Sequence, residues 1–245
     1  MKKEVLRKKV NPLIFMGVAH RGLHTKDFTE NGMKAFANAI NNNVSFELDI
    51  HLTKDNQLVV CHDSDLIRTT GKSGIIEDLT LKEIKDNYRL FDGGEIPTFK
   101  ELLDFTNERV PMVIELKVYK NNYKALAKKF LEVMKPYKNK QNYFVISFDP
   151  RALLKVKKGH FVRGLLVGMG DKWVYHFRFL FESLDLENKM LKLKSVQRYQ
   201  KRHFVNAWTI NNKEQFDEVY PFADTITFQN MDVEYVKEML KKKNF

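Results

Sequence analysis

Short apolar runs alternate along the chain with stretches whose apolar residues recur every three or four positions. Residues 13–20 (LIFMGVAH), 44–52 (VSFELDIHL), 58–62 (LVVCH), 111–118 (PMVIELKV), 143–148 (YFVISF), 162–168 (VRGLLVG), 204–210 (FVNAWTI) and 224–229 (DTITFQ) read as eight strands. Residues 30–42 read as a helix with Met33, Phe36, Ala37 and Ile40 on one face; residues 123–134 and 213–220 follow the same rhythm. Repeated strand–helix alternation predicts an α/β protein with a parallel sheet, and eight strands favour a closed (β/α)8 TIM barrel over an open sheet. No G-x-G-x-x-G loop follows the first strand, which weakens a dinucleotide-binding reading. Two irregularities interrupt the rhythm. Only residues 54–57 separate the second and third strands, so either they form a hairpin or the barrel lacks one helix. Residues 64–109 form a small insertion after the third strand, at the catalytic end. It contains the loop RTTGKSG, a short helix capped by Thr80, and another helix opened by Pro97 and Thr98. No linker divides residues 1–245, which read as one domain.

The second strand, SFELDIHLT, sets Phe46, Leu48, Ile50 and Leu52 against Glu47, Asp49 and His51 on the opposite face. Alone, such a row reads as the solvated face of an antiparallel sheet. In a barrel the C-terminal strand ends converge on one mouth. The first strand ends in His20-Arg21-Gly22, the third in His62-Asp63, and the fourth carries Glu115-x-Lys117. Charges brought together inside a barrel must compensate one another, hold a metal, or bind an anion. Three carboxylates without a cysteine cluster suit Mg²⁺ or Ca²⁺. Arg21 and Lys117 suit a phosphate, and two histidines suit proton transfer. Together they describe phosphodiester chemistry.

HRG, TEN, ELDIHLTKDNQLVVCHD, LIRTTGKSG, DLTLKEIK, IPTFKELL, IELK and WTIN, in that order, resemble the glycerophosphodiester phosphodiesterase family. The matches run from His20 to Lys117 and return at Trp208–Asn211; residues 120–204 are not diagnostic. The resemblance implies a (β/α)8 barrel with an insertion after the third strand. It implies hydrolysis of glycerophosphodiesters to glycerol 3-phosphate and an alcohol, with one divalent cation. Position by position, it makes Glu47, Asp49 and Glu115 metal ligands, His20 and His62 the acid/base pair, and Arg21 and Lys117 phosphate contacts. The chain departs from the family at Thr29 and Gly32, which flank Glu30-Asn31, and in TITFQN, where no Asp follows Thr227.

The remaining features add partners and alternatives. Net charge is +11, with 43% hydrophobic and 30% charged residues, which suits an anionic partner and a substantial core. The one cysteine, Cys61, excludes an internal disulfide and reads as packing. No signal peptide or membrane span is expected, and a cytoplasmic protein with peripheral contact to an anionic membrane fits these features. Residues 1–11 read as a solvated basic terminus, and the lysines at 241–243 as a solvated tail. His51 shares the face of Asp49 and reads equally as a supporting or a surface residue. Trp208 reads as barrel packing or as an aromatic face of the substrate pocket. In KWVYHFRFLF (172–181), Trp173, Phe177, Leu180 and Phe181 have core spacing, favoured over a lipid-docking stripe. Two other functions compete with the small-molecule phosphodiesterase: a membrane-associated enzyme for lysophospholipid or teichoic-acid-like substrates, and a phosphate or nucleic-acid binder on the same fold. The chain carries no RNA-binding aromatic motif or helix-turn-helix signal, so no nucleic acid is expected.

Overall fold

The strand Ser45–Leu52 is buried on both faces, as a strand must be when helices cover one side and a barrel interior lies on the other. The computed structural model describes residues 2–157 and 160–244. Among them nine strands form one sheet: β1 (Val18–Ala19), β2 (Ser45–Leu52), β3 (Leu58–Val60), β4 (Met112–Leu116), β5 (Tyr143–Ser147), β6 (Val162–Val167), β7 (Ser183–Glu187), β8 (Phe204–Ile210) and β9 (Thr225–Phe228). All except β3 pair in parallel, and β1 closes the ring: Val18 pairs with Ser45 on one side and Thr227 on the other. The fold is a closed eight-stranded parallel barrel wrapped by helices.

The membership of that barrel corrects the sequence reading in two places. The run at 58–62 is not a barrel stave. β3 folds back antiparallel on β2, with Ile50 opposite Val60 and Leu52 opposite Leu58, so residues 54–57 are a hairpin turn. The eighth stave is β7, which the pattern did not reveal. Its sequence SLDLE alternates because Ser183 and Asp185 face a polar layer inside the barrel, where Asn206 donates to Asp185 (2.8 Å) and Thr227 (2.8 Å). A buried parallel strand normally reads as a continuous apolar run.

The first stave is also shorter than expected. Pro12–Met16 is a 3-10 helix: Pro12 sets φ and lacks an N–H, and the Asn11 side chain accepts from the Leu13 N–H (3.0 Å). Gly17, at φ 105°, then re-aims the chain into β1. The helix Met33–Asn41 forms as expected, but it turns Ala35, Phe36, Ala39 and Ile40 inward and leaves Met33 and Ala37 half-buried. In the insertion, Thr80 with Glu83 and Thr98 with Glu101 form reciprocal capping boxes that start Leu81–Asn87 and Phe99–Thr106.

The barrel floor is closed by residues from both ends of the described chain: Lys2, Lys8, Lys9, Lys241 and Lys242 are exposed as expected, but their neighbours are anchored. Leu6, Ile14 and Phe15 pack with Val18, Phe144 and Phe204 beneath the barrel. Asp224 forms an ion pair with Lys3 (2.7 Å), and its backbone carbonyl accepts from Asn244 (3.0 Å). Lys243 donates to the Tyr220 and Ala223 carbonyls from the helix Val233–Asn244, and burial lowers its pKa to about 8. Residues 172–180 form a 3-10 helix with three residues per turn, so the stripe spaced for an α-helix splits. Val174 and Phe181 turn inward, whereas Trp173, Phe177 and Leu180 are exposed, against the expectation of core packing. No helix among the described residues is long and apolar enough to cross a membrane.

Candidate active site

The floor is apolar and the mouth is charged, and the strand period of two explains how. On β2, Glu47 and Asp49 point inward while Leu48 and Ile50 join the outer core. On β4, Glu115 points inward between Ile114 and Leu116. Register sets Asp49 directly beside Glu115. Oxygens of Glu47, Asp49 and Glu115 lie within 4.8 Å of one another, and all three residues are buried.

Two cations flank the carboxylates. Lys117 Nζ is 3.1 Å from Glu115 and 3.6 Å from Asp49. Arg21 Nε is 3.6 Å from Asp49, and its guanidinium pairs with Glu30 at 2.8 Å. The turn after β1 holds Arg21 in place: Arg21 has φ 54°, and its backbone N–H donates to Glu47 (3.0 Å). Gly22 follows at φ 80°, where an added Cβ would sit 3.0 Å from the Ala35 backbone. Asn31 donates to Asp49 Oδ2 (2.9 Å), whereas the buried Asp49 Oδ1 has no hydrogen-bond partner.

The electrostatics are those of too many acids for the cations present. Burial, together with Asp49 and Glu115, pushes the Glu47 carboxyl well above its usual range. Burial outweighs the pull of Lys117 on Glu115, pushed up to about 7. Asp49 goes the other way: burial opposes its charge, but Lys117, His62 and Arg21 together hold it below the usual range. A crowded, dehydrated, oxygen-only cluster with one orphaned carboxylate oxygen fits a hard divalent cation.

His20 and His62 face one small cavity of about 150 Å³, lined also by Arg21, Glu47, Glu115 and Trp208. His20 Nδ1 lies 2.7 Å from Gln229 Oε1, and the Gln229 amide is turned that way because its NH₂ donates to Asn211 (2.8 Å). Burial and the neighbouring Arg21 lower His20 to about 4. His62 Nδ1 lies 2.6 Å from Asp63 Oδ1, which leaves Nε2 unengaged by that contact; burial lowers this ring's pKa too. His62 reaches the mouth because β3 runs backwards: Cys61 N–H donates to the Asp49 carbonyl, level with the inward carboxylates.

All seven residues singled out from the sequence therefore meet at the mouth. His51 does not enter the carboxylate cluster. Its ring joins Glu77 of the insertion (2.6 Å) to the His62 carbonyl (3.1 Å) and so braces the loop that carries His62. Cys61 is buried beneath the insertion, and burial pushes its thiol up to about 12. Trp208 lines the cavity and meets Phe148 edge-on at 5.6 Å. Sequence reasoning missed Gln229 and Arg68. Arg68 donates to Asp63 (2.5 Å) and to Glu30 (2.8 Å), so one side chain braces the partners of both His62 and Arg21. The string RTTGKSG held that residue but gave no sign of partners 38 positions away.

Comparison with known proteins shows the family of the chain. The Glycerophosphoryl diester phosphodiesterase family pattern matches residues 20–232. A glycerophosphodiester phosphodiesterase of Caldanaerobacter subterraneus subsp. tengcongensis is 31% identical over 213 residues, which span 82% of this chain and 87% of that protein. The crystal structure of a glycerophosphodiester phosphodiesterase from Thermotoga maritima superposes with a TM-score of 0.74 at 27% identity, covering 93% of this chain and 97% of that one. An Oleispira antarctica phosphodiesterase, solved in complex with the product sn-glycerol-3-phosphate, shares the fold with a TM-score of 0.76 at 22% identity over 93% of this chain and 96% of that one. The chain belongs to the glycerophosphoryl diester phosphodiesterase family. It is a phosphoric diester hydrolase.

Proposed function

We propose that this protein hydrolyses glycerophosphodiesters to glycerol 3-phosphate and an alcohol, with Glu47, Asp49 and Glu115 holding one divalent cation, Mg²⁺ or Ca²⁺. The reading rests above all on the cluster of three buried carboxylates between Arg21 and Lys117, with two imidazoles on the same cavity. A cation bound there would neutralise the crowded acids and draw charge from the phosphate oxygens. Arg21 and Lys117 are suited to hold the two non-bridging oxygens of the phosphodiester. An attacking hydroxyl, from water or from the substrate glycerol, loses its proton to one imidazole as its oxygen bonds to phosphorus; where the glycerol hydroxyl attacks, the resulting cyclic phosphate is opened by water in a second step, which breaks the new phosphorus–oxygen bond and returns that hydroxyl. The bond to the alcohol oxygen breaks, and the other imidazole protonates that oxygen.

The partners of the two rings support a division of labour. His62 hydrogen-bonds a carboxylate, Asp63, which favours its protonated form and suits it as the acid. His20 meets a neutral amide and lies beside Arg21, which favours the unprotonated ring and suits it as the base. The primary test strips the protein with a chelator, adds glycerophosphocholine or glycerophosphoethanolamine with and without Mg²⁺ or Ca²⁺, and measures glycerol 3-phosphate. Metal-dependent release is expected. No release with either ion and either substrate overturns the reading.

A further inference from the structure

The net charge of +11 is not spread evenly around the barrel. Residues 120–204 hold 20 Lys and Arg against 6 Asp and Glu, whereas the rest of the chain holds 22 against 25. That stretch builds β5, β6 and β7 with the helices between them, and these strands are consecutive in the ring, so one arc carries the whole positive excess. The same arc carries an apolar ridge. On the 3-10 helix Lys172–Leu180, Trp173 is 63% exposed, Phe179 66% and Leu180 49%. Leu154, on the helix Pro150–Lys155, is 55% exposed. The ridge is ordered by its own contacts: Phe177 meets Trp173 edge-on at 6.1 Å, and the Arg178 guanidinium lies over Phe179 at 4.2 Å. It runs down the flank of the barrel. Trp173 and Phe177 line an outer cavity of about 850 Å³ at the mouth, together with Leu154, Lys120 and Arg151. Phe179 and Leu180 line a second groove of about 620 Å³ toward the floor, together with Lys8, Lys9 and Lys140. Large apolar side chains set together in the open mark an interaction surface.

We infer that this flank docks on an anionic lipid bilayer, with Trp173, Phe177, Phe179 and Leu180 entering the interface and the surrounding lysines and arginines meeting the headgroup charge. The inference does not depend on the phosphodiesterase reading. Charge and apolar surface together choose the partner. A bilayer offers both in layers, negative headgroups above acyl chains, and aromatic and leucine side chains bordered by Lys and Arg suit that order. A nucleic acid answers the charge but offers no apolar layer to Leu154 and Leu180. A protein interface is poor in lysine, whereas exposed Lys120, Lys155 and Lys172 stand beside Leu154 and Trp173. On a bilayer such lysines lay their stems along the ridge and keep their ammonium groups among the headgroups. Each Lys or Arg brought to an anionic surface strengthens binding by about fivefold. The arrangement lays the barrel on its side, so the mouth opens at the edge of the contact.

The test is vesicle binding by the purified full chain, read by sedimentation and by tryptophan fluorescence. Vesicles of phosphatidylcholine are compared with vesicles of equal parts phosphatidylcholine and phosphatidylserine. Both lipids carry a phosphodiester, so the difference between them reads surface charge. Binding to the mixed vesicles is expected to exceed binding to phosphatidylcholine by about tenfold or more, and to weaken by about tenfold from low to high salt. A Trp173→Ala, Phe179→Ala double variant should bind the mixed vesicles about tenfold more weakly, with unchanged circular dichroism. Brominated acyl chains should quench the wild-type emission. That quenching should disappear in Trp173→Phe, which keeps Trp208 and should still bind. Added glycerol 3-phosphate should leave binding unchanged. Failure to bind the mixed vesicles overturns the docking surface. So does binding that glycerol 3-phosphate displaces, binding that the double variant keeps in full, or salt-sensitive binding to duplex DNA in place of vesicles. None of these outcomes bears on release of glycerol 3-phosphate from glycerophosphocholine, so the phosphodiesterase reading stands or falls separately.

Discussion

The two sides of the barrel mouth are built on opposite principles. On the side of β1, β2 and the insertion, polar groups are tied to one another: Arg21 with Glu30, Arg68 with Glu30 and Asp63, Asp63 with His62, Asn31 with Asp49. On the side of β5 and β6, Phe148, Leu154, Trp173 and Phe177 offer apolar surface, much of it open. The first side holds side chains in one arrangement, as chemistry on a phosphate requires. Charged groups and open apolar surface thus occupy different arcs of one ring.

The largest effects should come from breaking the rigid side at its centre. Asp49→Asn or Glu115→Gln should lower turnover by about 10²-fold or more and weaken metal binding, measured by titration calorimetry with Mg²⁺ or Ca²⁺. Unchanged metal affinity in both variants would remove these residues from the ligand set. The histidines separate next. His20→Ala and His62→Ala should each cost about 10²–10⁴-fold with a small alcohol as leaving group, the barrel remaining folded by circular dichroism. With p-nitrophenol as leaving group, which needs no protonation, His62→Ala should recover most of its rate and His20→Ala should not. The reverse pattern would exchange their roles.

A smaller effect tests whether the brace matters. Arg68→Ala should cost about tenfold and move the pH optimum upward, because Asp63, released from the guanidinium, holds the His62 proton more firmly. Arg68→Lys should restore part of both. An Arg68→Ala enzyme with the wild-type pH profile would show that the network is mere surface pairing. The last effect, on stability with the smallest consequence for turnover, concerns the polar layer below the mouth. Burial raises Asp185 to about 7, far above an ordinary carboxyl. The unfolded chain therefore releases this proton near pH 4 while the folded barrel keeps it to about 7, so the wild type loses stability as pH rises across that window. Asp185→Asn should remove that slope and unfold at higher denaturant than the wild type at pH 8, by roughly 2–4 kcal/mol. Parallel pH–stability curves for the two proteins would refute the assignment.

The two sides also differed in how legibly the chain announced them. Glu47 and Asp49, or Glu115 and Lys117, are two apart on a strand, so spacing alone set each pair on one face, and the convergence of strand ends at a barrel mouth did the rest. Partners that depend on distant segments left no local trace. Gln229 reaches His20 across 209 positions, and Arg68 reaches Glu30 across 38. β7 was missed because its inward residues are polar; β3 was misplaced because a backward strand has the same local pattern as a forward one. The aromatic segment misled through its winding: a period of 3.6 predicts a buried stripe, and a period of three breaks it.

The floor of the barrel has a practical consequence. Lys3 and Asn244 meet at Asp224, and Arg7 donates to the Asn244 carbonyl at 3.0 Å, so the two ends of the described chain are neighbours on the face opposite the mouth. Any tether attached at either end, whether a solid support or a fused protein, leads away from the opening. A short splice between those ends would make the chain a ring without crossing the entrance, and the order in which the staves are synthesised could then be changed while the opening stays clear.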